Sequence, residues 1–268
     1  MTYYGQDSLS IMDTALSDPH PSYKNPTIIQ ATCEIRFISS REERVSAASL
    51  YKVFGEEFPE IQPVPNLTVV MMQPAALPPQ EAPQNPNAAA FRFATSDGKR
   101  YVQISSSNFV YQSNEPYFGW PHFRGKILEL LALAFKQVEP DNIARIGVRY
   151  INRIIKTHAY PALDNWLQAT SDLPLALIQS KDHFLARIES SPASSHLKLI
   201  TLANETPGPD WPNGAIIMDI DRICNELFEA DDVEPISRKL EELHDDVWVT
   251  FSAAATDTLK QHLNGSLK

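Results

Sequence analysis

Three arginines stand four residues apart in the segment 143–155, IARIGVRYINRII: Arg145, Arg149 and Arg153. On an extended strand, side chains two residues apart share a face, so these three line one side at intervals of about 13 Å. Arg36, Arg92 and Arg187 hold comparable outward positions in other segments that alternate in the same way. Neighbouring strands lie only about 5 Å apart, so lateral clustering of guanidinium groups on one sheet face is easy to build. The planar guanidinium suits a carboxylate or a phosphate, and such a face is a candidate surface for an acidic partner or a small anionic ligand. The competing reading is a solvated face on which the arginines pair with Glu34, Glu189 and Asp219 across strands.

Other chemistry-bearing residues are sparser. Asp219 and Asp221 share one strand face, a spacing that could offer two carboxylates to Mg²⁺, against solvation or capping at a strand end. His244 precedes Asp245 and Asp246, but it also adjoins Leu243 on an apolar helical stripe, as a packed structural histidine would. The loop Tyr117-Phe118-Gly119-Trp120-Pro121 reads as a staple fixing a helix entry, with Trp120 alternatively an interface anchor. Seven histidines and two cysteines show no zinc spacing, and no glycine-rich run precedes a helix. The expectation is therefore no metal, no cofactor and no catalytic residue.

Composition narrows the setting. A net charge of −10 over 268 residues disfavours nucleic acid and anionic lipid as partners. No run of 18 apolar residues marks a membrane span, and residues 1–26 have neither the basic start nor the apolar run of a signal peptide. Cys33 and Cys224 sit far apart in apolar-alternating surroundings, which suits buried thiols in a reducing cytoplasm.

The elements that must position these residues follow from periodicity. Residues 1–24 read as an N-terminal arm and 28–37 as a first strand, and a helix follows from a Ser40/Glu43 capping box to Gly55. Eight prolines between 59 and 86 forbid helix and predict an extended excursion, with 67–72 as a strand. A hairpin turning at Asp97-Gly98 joins 90–95 to 100–110, and a helix opened by Pro121 carries an apolar stripe from Phe123 to Val138. After the arginine strand come strands at 185–189, 196–203 and 214–220, then one long helix from Pro235 to His262 in which 247–250 is a candidate bend. The fold class is α+β: antiparallel meanders packed on two long helices, as two similar strand-strand-strand-helix halves, 25–140 and 141–268, fused into one unit.

Several of these segments together resemble a sporadically distributed family of uncharacterised bacterial and archaeal proteins. The carrying residues are Asn25-Pro26, Glu34-Ile35-Arg36-Phe37, Tyr117, Gly119-Trp120, the run Arg145 to Asn152, Met218-Asp219-Ile220-Asp221, Leu243-His244 and Phe251. The resemblance implies an intracellular protein and, from the family's patchy distribution, an accessory role in a small mobile or defence-type gene system. It assigns no residue a role. The function expected is that of a non-enzymatic binding protein whose site is the sheet face around Arg149 and whose partner is another protein. The alternative is an enzyme or sensor of a phosphorylated small ligand, with Arg36, Arg92, Arg149 and Arg187 as anion clamps.

Overall fold

A computed structural model of the chain describes residues 20–38, 46–64, 90–177, 183–230 and 233–267. Its frame is one antiparallel sheet. The strands are β1 (Ile28–Ile38), β2 (Glu60–Val64), β3 (Ala90–Ala94), β4 (Arg100–Ile104), β5 (Asn108–Ser113), β6 (Asn142–Ile155), β7 (Leu185–Ala193), β8 (His196–Glu205), β9 (Ala215–Cys224) and β10 (Phe228–Glu229). Spatial order is β2-β3-β4-β5-β1-β6-β9-β8-β7, with β10 pairing the start of β6. The two long strands β1 and β6 thus lie side by side at the centre.

One face of the sheet is covered by helix. Helices α1 (Ala47–Phe54), α2 (Trp120–Val138) and α4 (Glu234–Ala254) contact β3, β5 and the β6–β9 pair respectively. Two shorter helices, α3 (Leu163–Trp166) and α5 (Asp257–Leu263), contact each other. Alternation decides which residues face the helices: Ile146, Val148, Tyr150, Asn152 and Ile154 of β6 are buried there, beside Cys33 and Ile35 of β1 and Met218 and Ile220 of β9. The arginines of β6 necessarily take the other face. Among the described residues no helix is long and apolar enough to cross a membrane.

Four expectations need correction or restriction. The stretch 100–110 is two strands, because Ser105 to Ser107 reverse the chain: the Ser105 amide donates to the Asn108 carbonyl, and the Ser107 amide to Ser105 Oγ. Within the proline-rich stretch, 60–64 forms β2; Pro63 is tolerated because β2 is an edge strand that need not donate on both sides. The predicted strand 67–72, the Ser40/Glu43 capping box and most of the arm lie outside the described residues; α1 is capped instead by Ser46, whose Oγ accepts from the Ser49 amide. The long C-terminal helix is not bent at 247–250 but broken at Ala255, which is extended and bridges Leu167. Thr256 then caps α5 through the Leu259 amide while its hydroxyl donates to the Asn165 carbonyl. Tertiary bonds to the α3 segment therefore override a helical periodicity that continues unbroken in the sequence.

Helix α2 ends at Glu139, which holds a left-handed conformation (φ 47°) while its amide donates to the Phe135 carbonyl. A Cβ is strained there, so Glu139→Gly is expected to raise stability by about 1 kcal/mol, read as a higher urea midpoint at unchanged slope.

Candidate functional site

On the helix-covered side, a cavity of about 440 Å³ opens at the end of the sheet where Tyr150 and Asn152 of β6 emerge between α2 and α4. Its floor is polar but internally satisfied. Asn152 accepts from Thr27 Oγ1 at 2.9 Å and donates to the Met218 carbonyl at 3.3 Å. The Tyr150 hydroxyl lies 3.3 Å from both the Tyr117 hydroxyl and His244 Nδ1.

Rings build the walls. Tyr117 and Phe118 enter from the loop before α2, and His244, Trp248 and Phe251 from successive turns of α4. Tyr23 and His20 close the cavity from the N-terminal segment, whose His20 ring stacks on Trp248 at 4.8 Å and bonds Asp245 at 2.8 Å. That segment is anchored further along, where the Asn25 amide donates to the Leu263 carbonyl. Residues 20–24, read from sequence as the end of an arm, are thus a wall of the cavity. Among the described residues no carboxylate lines it, although the chain is strongly acidic; Lys24 does.

His244 explains how the wall is held. Its ring stacks on Trp120 at 4.2 Å and 7°, and Trp120 Nε1 donates to Glu241 one helical turn earlier. Burial, helped by the nearby His20, pushes the His244 imidazole down to about 3, so it is neutral at physiological pH. Its Nε2 is buried and carries no hydrogen bond among the described residues. Trp120 is itself buried, so it serves the cavity as a packing element rather than as an exposed anchor, whereas Phe118 beside it is 69% exposed.

The opposite face holds the arginines, and each guanidinium is engaged. Arg149 grips Asp219 with two bonds of 2.8 and 2.7 Å. Arg36 and Arg145, directly across from one another on β1 and β6, share Glu34 at 2.9 and 3.4 Å. Arg153 pairs with Glu205 and lies over the Trp211 ring, Arg187 approaches Glu189, and Arg92 bonds Gln103 and lies over Tyr101. Glu34, Glu189 and Asp219 are thus among the partners, but only Arg145–Glu34 and Arg149–Asp219 pair across strands as expected; Arg36–Glu34 and Arg187–Glu189 are neighbours two apart on one strand. Seven strand-to-strand steps separate Arg92 on β3 from Arg187 on β7, on the order of 30 Å along the sheet, so one small ligand does not reach both.

Centrally, Arg145 and Arg149 act on a carboxylate that sequence spacing could not rank. Asp221 is directly opposite Arg149 in register but only 4% exposed, and its Oδ2 has no hydrogen bond among the described residues. Burial pushes its carboxyl up to about 7 despite the arginines, with Asp219 and Glu34 adding repulsion. This overturns the strand-end solvation expected for it. Asp219, held by Arg149, and Asp221 do not make a bare carboxylate pair for Mg²⁺.

Removing Arg149 leaves Asp219, whose side chain is only 15% exposed, without its bidentate partner. Arg149→Ala is expected to lower stability by about 1–2 kcal/mol, between the values for exposed and buried pairs. A double-mutant cycle with Asp219→Ala should return most of that loss as coupling.

No known family model matches the chain, and no curated protein matches it significantly.

Proposed function

We propose that this chain is a binding protein for a small, flat, largely apolar ligand, neutral or singly anionic, held in the aromatic cavity between α2, α4 and residues 20–28. The observation that carries this reading is the cavity's make-up: a volume within the range of small-molecule sites, walls of stacked rings, Lys24, and no carboxylate among the described lining residues of a chain of net charge −10. The floor groups satisfy one another, which favours a ligand recognised by ring contacts over one recognised by many hydrogen bonds. Among the described residues no cysteine, carboxylate or metal-ligand cluster lines the cavity, and the reading assigns binding rather than turnover to it.

A second reading keeps the arginine face as a surface for a protein partner, in an accessory role of the kind the family resemblance implies. It is favoured by the half-buried, pre-ordered guanidinium groups around Asp221. The phosphorylated-ligand variant of that reading is less well supported, since a phosphate would have to displace Glu34 or Asp219 from arginines that already hold them. The two-half organisation also belongs here: β1 with the meander β3–β5 and α2, then β6 with the meander β7–β9 and α4, supports one plan repeated about the β1–β6 seam.

The test is to purify the tagged protein from its native host and identify bound species by native mass spectrometry. Wild type is compared with Val247→Trp, which fills the cavity from α4, and with Arg149→Ala. A small molecule bound to wild type and Arg149→Ala but lost from Val247→Trp is the expected result. A protein partner lost only from Arg149→Ala, with no small molecule on wild type, would replace the first reading with the second.

A further inference from the structure

Apart from the cavity and the arginine face, one cluster has the donor chemistry of a metal site. His196 opens β8, Cys224 closes β9, and the two are direct partners in the β8–β9 register; Glu226 follows two residues beyond Cys224. One ligand atom from each, the thiol sulfur, an imidazole nitrogen and a carboxylate oxygen, lie within 4.8 Å of one another. It is the one group of three such residues among the described residues. Cross-strand pairing fixes the His–Cys approach, and the segment leaving β9 brings the Glu226 carboxylate to the same group, where Ser195 and Lys239 hold it.

We propose that His196, Cys224 and Glu226 bind a divalent transition ion of the Zn²⁺ class, leaving one coordination position to water. A thiolate, an imidazole and a carboxylate together select such an ion over Mg²⁺ or Ca²⁺, which take oxygen ligands. Tetrahedral bond lengths to zinc place ligand atoms about 3.5 Å apart, so the cluster closes by about 1 Å. That movement falls on a strand end and the residues just after it. The present contacts are the ones the ion replaces: Ser195 Oγ lies 3.0 Å from His196 Nδ1 and donates to Glu226 at 3.2 Å, and Lys239 of α4 holds the other Glu226 oxygen at 3.3 Å. Binding converts the Cys224 thiol to a thiolate and releases its proton to solvent, so affinity rises with pH.

The experiment titrates the reduced full-length protein with Co²⁺, follows the thiolate-to-cobalt charge-transfer band, and then displaces the cobalt with Zn²⁺. Wild type is expected to show the band at one ion per chain, and Zn²⁺ to abolish it. Cys33→Ser, which removes the other cysteine from the sheet core, retains the band; Cys224→Ser loses it. His196→Ala and Glu226→Gln, at partly exposed positions, weaken binding by about 100-fold or keep only a distorted band. These two serve if Cys224→Ser does not fold. Lys239→Met removes the competing ammonium and tightens binding. Absence of the band in wild type, or a band that survives Cys224→Ser or is indifferent to both partly exposed substitutions, overturns the site.

Discussion

Asp221→Asn is expected to make the protein more stable at pH 8 by about 4 kcal/mol and to leave its stability nearly unchanged at pH 4. The folded Asp221 carboxyl titrates near 7 against an ordinary 3.8. Between those values the native state keeps a proton that the unfolded chain has lost, so this group's contribution is full below about pH 4. It is lost as pH rises, at about 1.4 kcal/mol per unit, until about pH 7. Asparagine resembles the protonated acid, cannot ionise, and can offer an N–H in the buried position where Oδ2 has no partner among the described residues. Urea midpoints of the two proteins at pH 4 and pH 8 measure the difference directly. A variant no more stable than wild type at pH 8 would mean that Arg145 and Arg149 already neutralise an ionised Asp221.

His244 works in the opposite direction. Its folded value near 3 lies below the ordinary 6.5, so the unfolded chain binds a proton across that window and the native state does not. Stability contributed by the neutral ring is full above pH 6.5 and is lost as pH falls toward 3. Replacing His244 with Phe keeps a flat ring against Trp120 and removes the titration. The wild-type advantage over His244→Phe is expected to shrink by about 2 kcal/mol between pH 6.5 and pH 4.5. The facing groups are His20 from the N-terminal segment, itself bonded to Asp245, Tyr150 from β6 and Trp120 from α2. Since the Asp221 and His244 contributions have opposite slopes between about pH 4 and pH 6.5, they largely cancel in the wild type and emerge only in the single variants. A parallel pair of stability curves for wild type and His244→Phe would show that the buried ring accepts a proton without penalty.

Much of the frame is legible in the residues. The alternation of 143–155 gives β6 and its two faces, the stripe after Pro121 gives α2, and Asp97-Gly98 gives the β3–β4 turn, where Gly98 takes a positive φ. Local pattern carries these elements because each buries one regular face. The break at Ala255 and the reversal at Ser105 to Ser107 were not legible, because both depend on hydrogen bonds to particular neighbours. The ion pairs of the arginine face could be named from strand alternation, yet alternation says nothing of depth, and so Asp221 could not be told from Asp219. The cavity was hidden for a stronger reason. Its lining comes from residues near 20–28, 117–119, 150–152, 244–251 and 263, and none of these short stretches carries a motif on its own. His196 and Cys224 are likewise 28 positions apart in the chain and meet only through the β8–β9 register.

The most direct test of the cavity as the binding site uses 2-naphthoate, a flat apolar ring system with one negative charge. Trp248 fluorescence is followed during titration of wild type, Trp248→Phe, Val247→Trp and Arg149→Ala. Saturable quenching with a Kd on the order of 1 mM or tighter is predicted for wild type and Arg149→Ala. The signal should vanish in Trp248→Phe, and binding should be lost in Val247→Trp. Quenching that never saturates, or saturable binding that survives Val247→Trp but is lost in Arg149→Ala, would contradict the assignment and move the site to the arginine face.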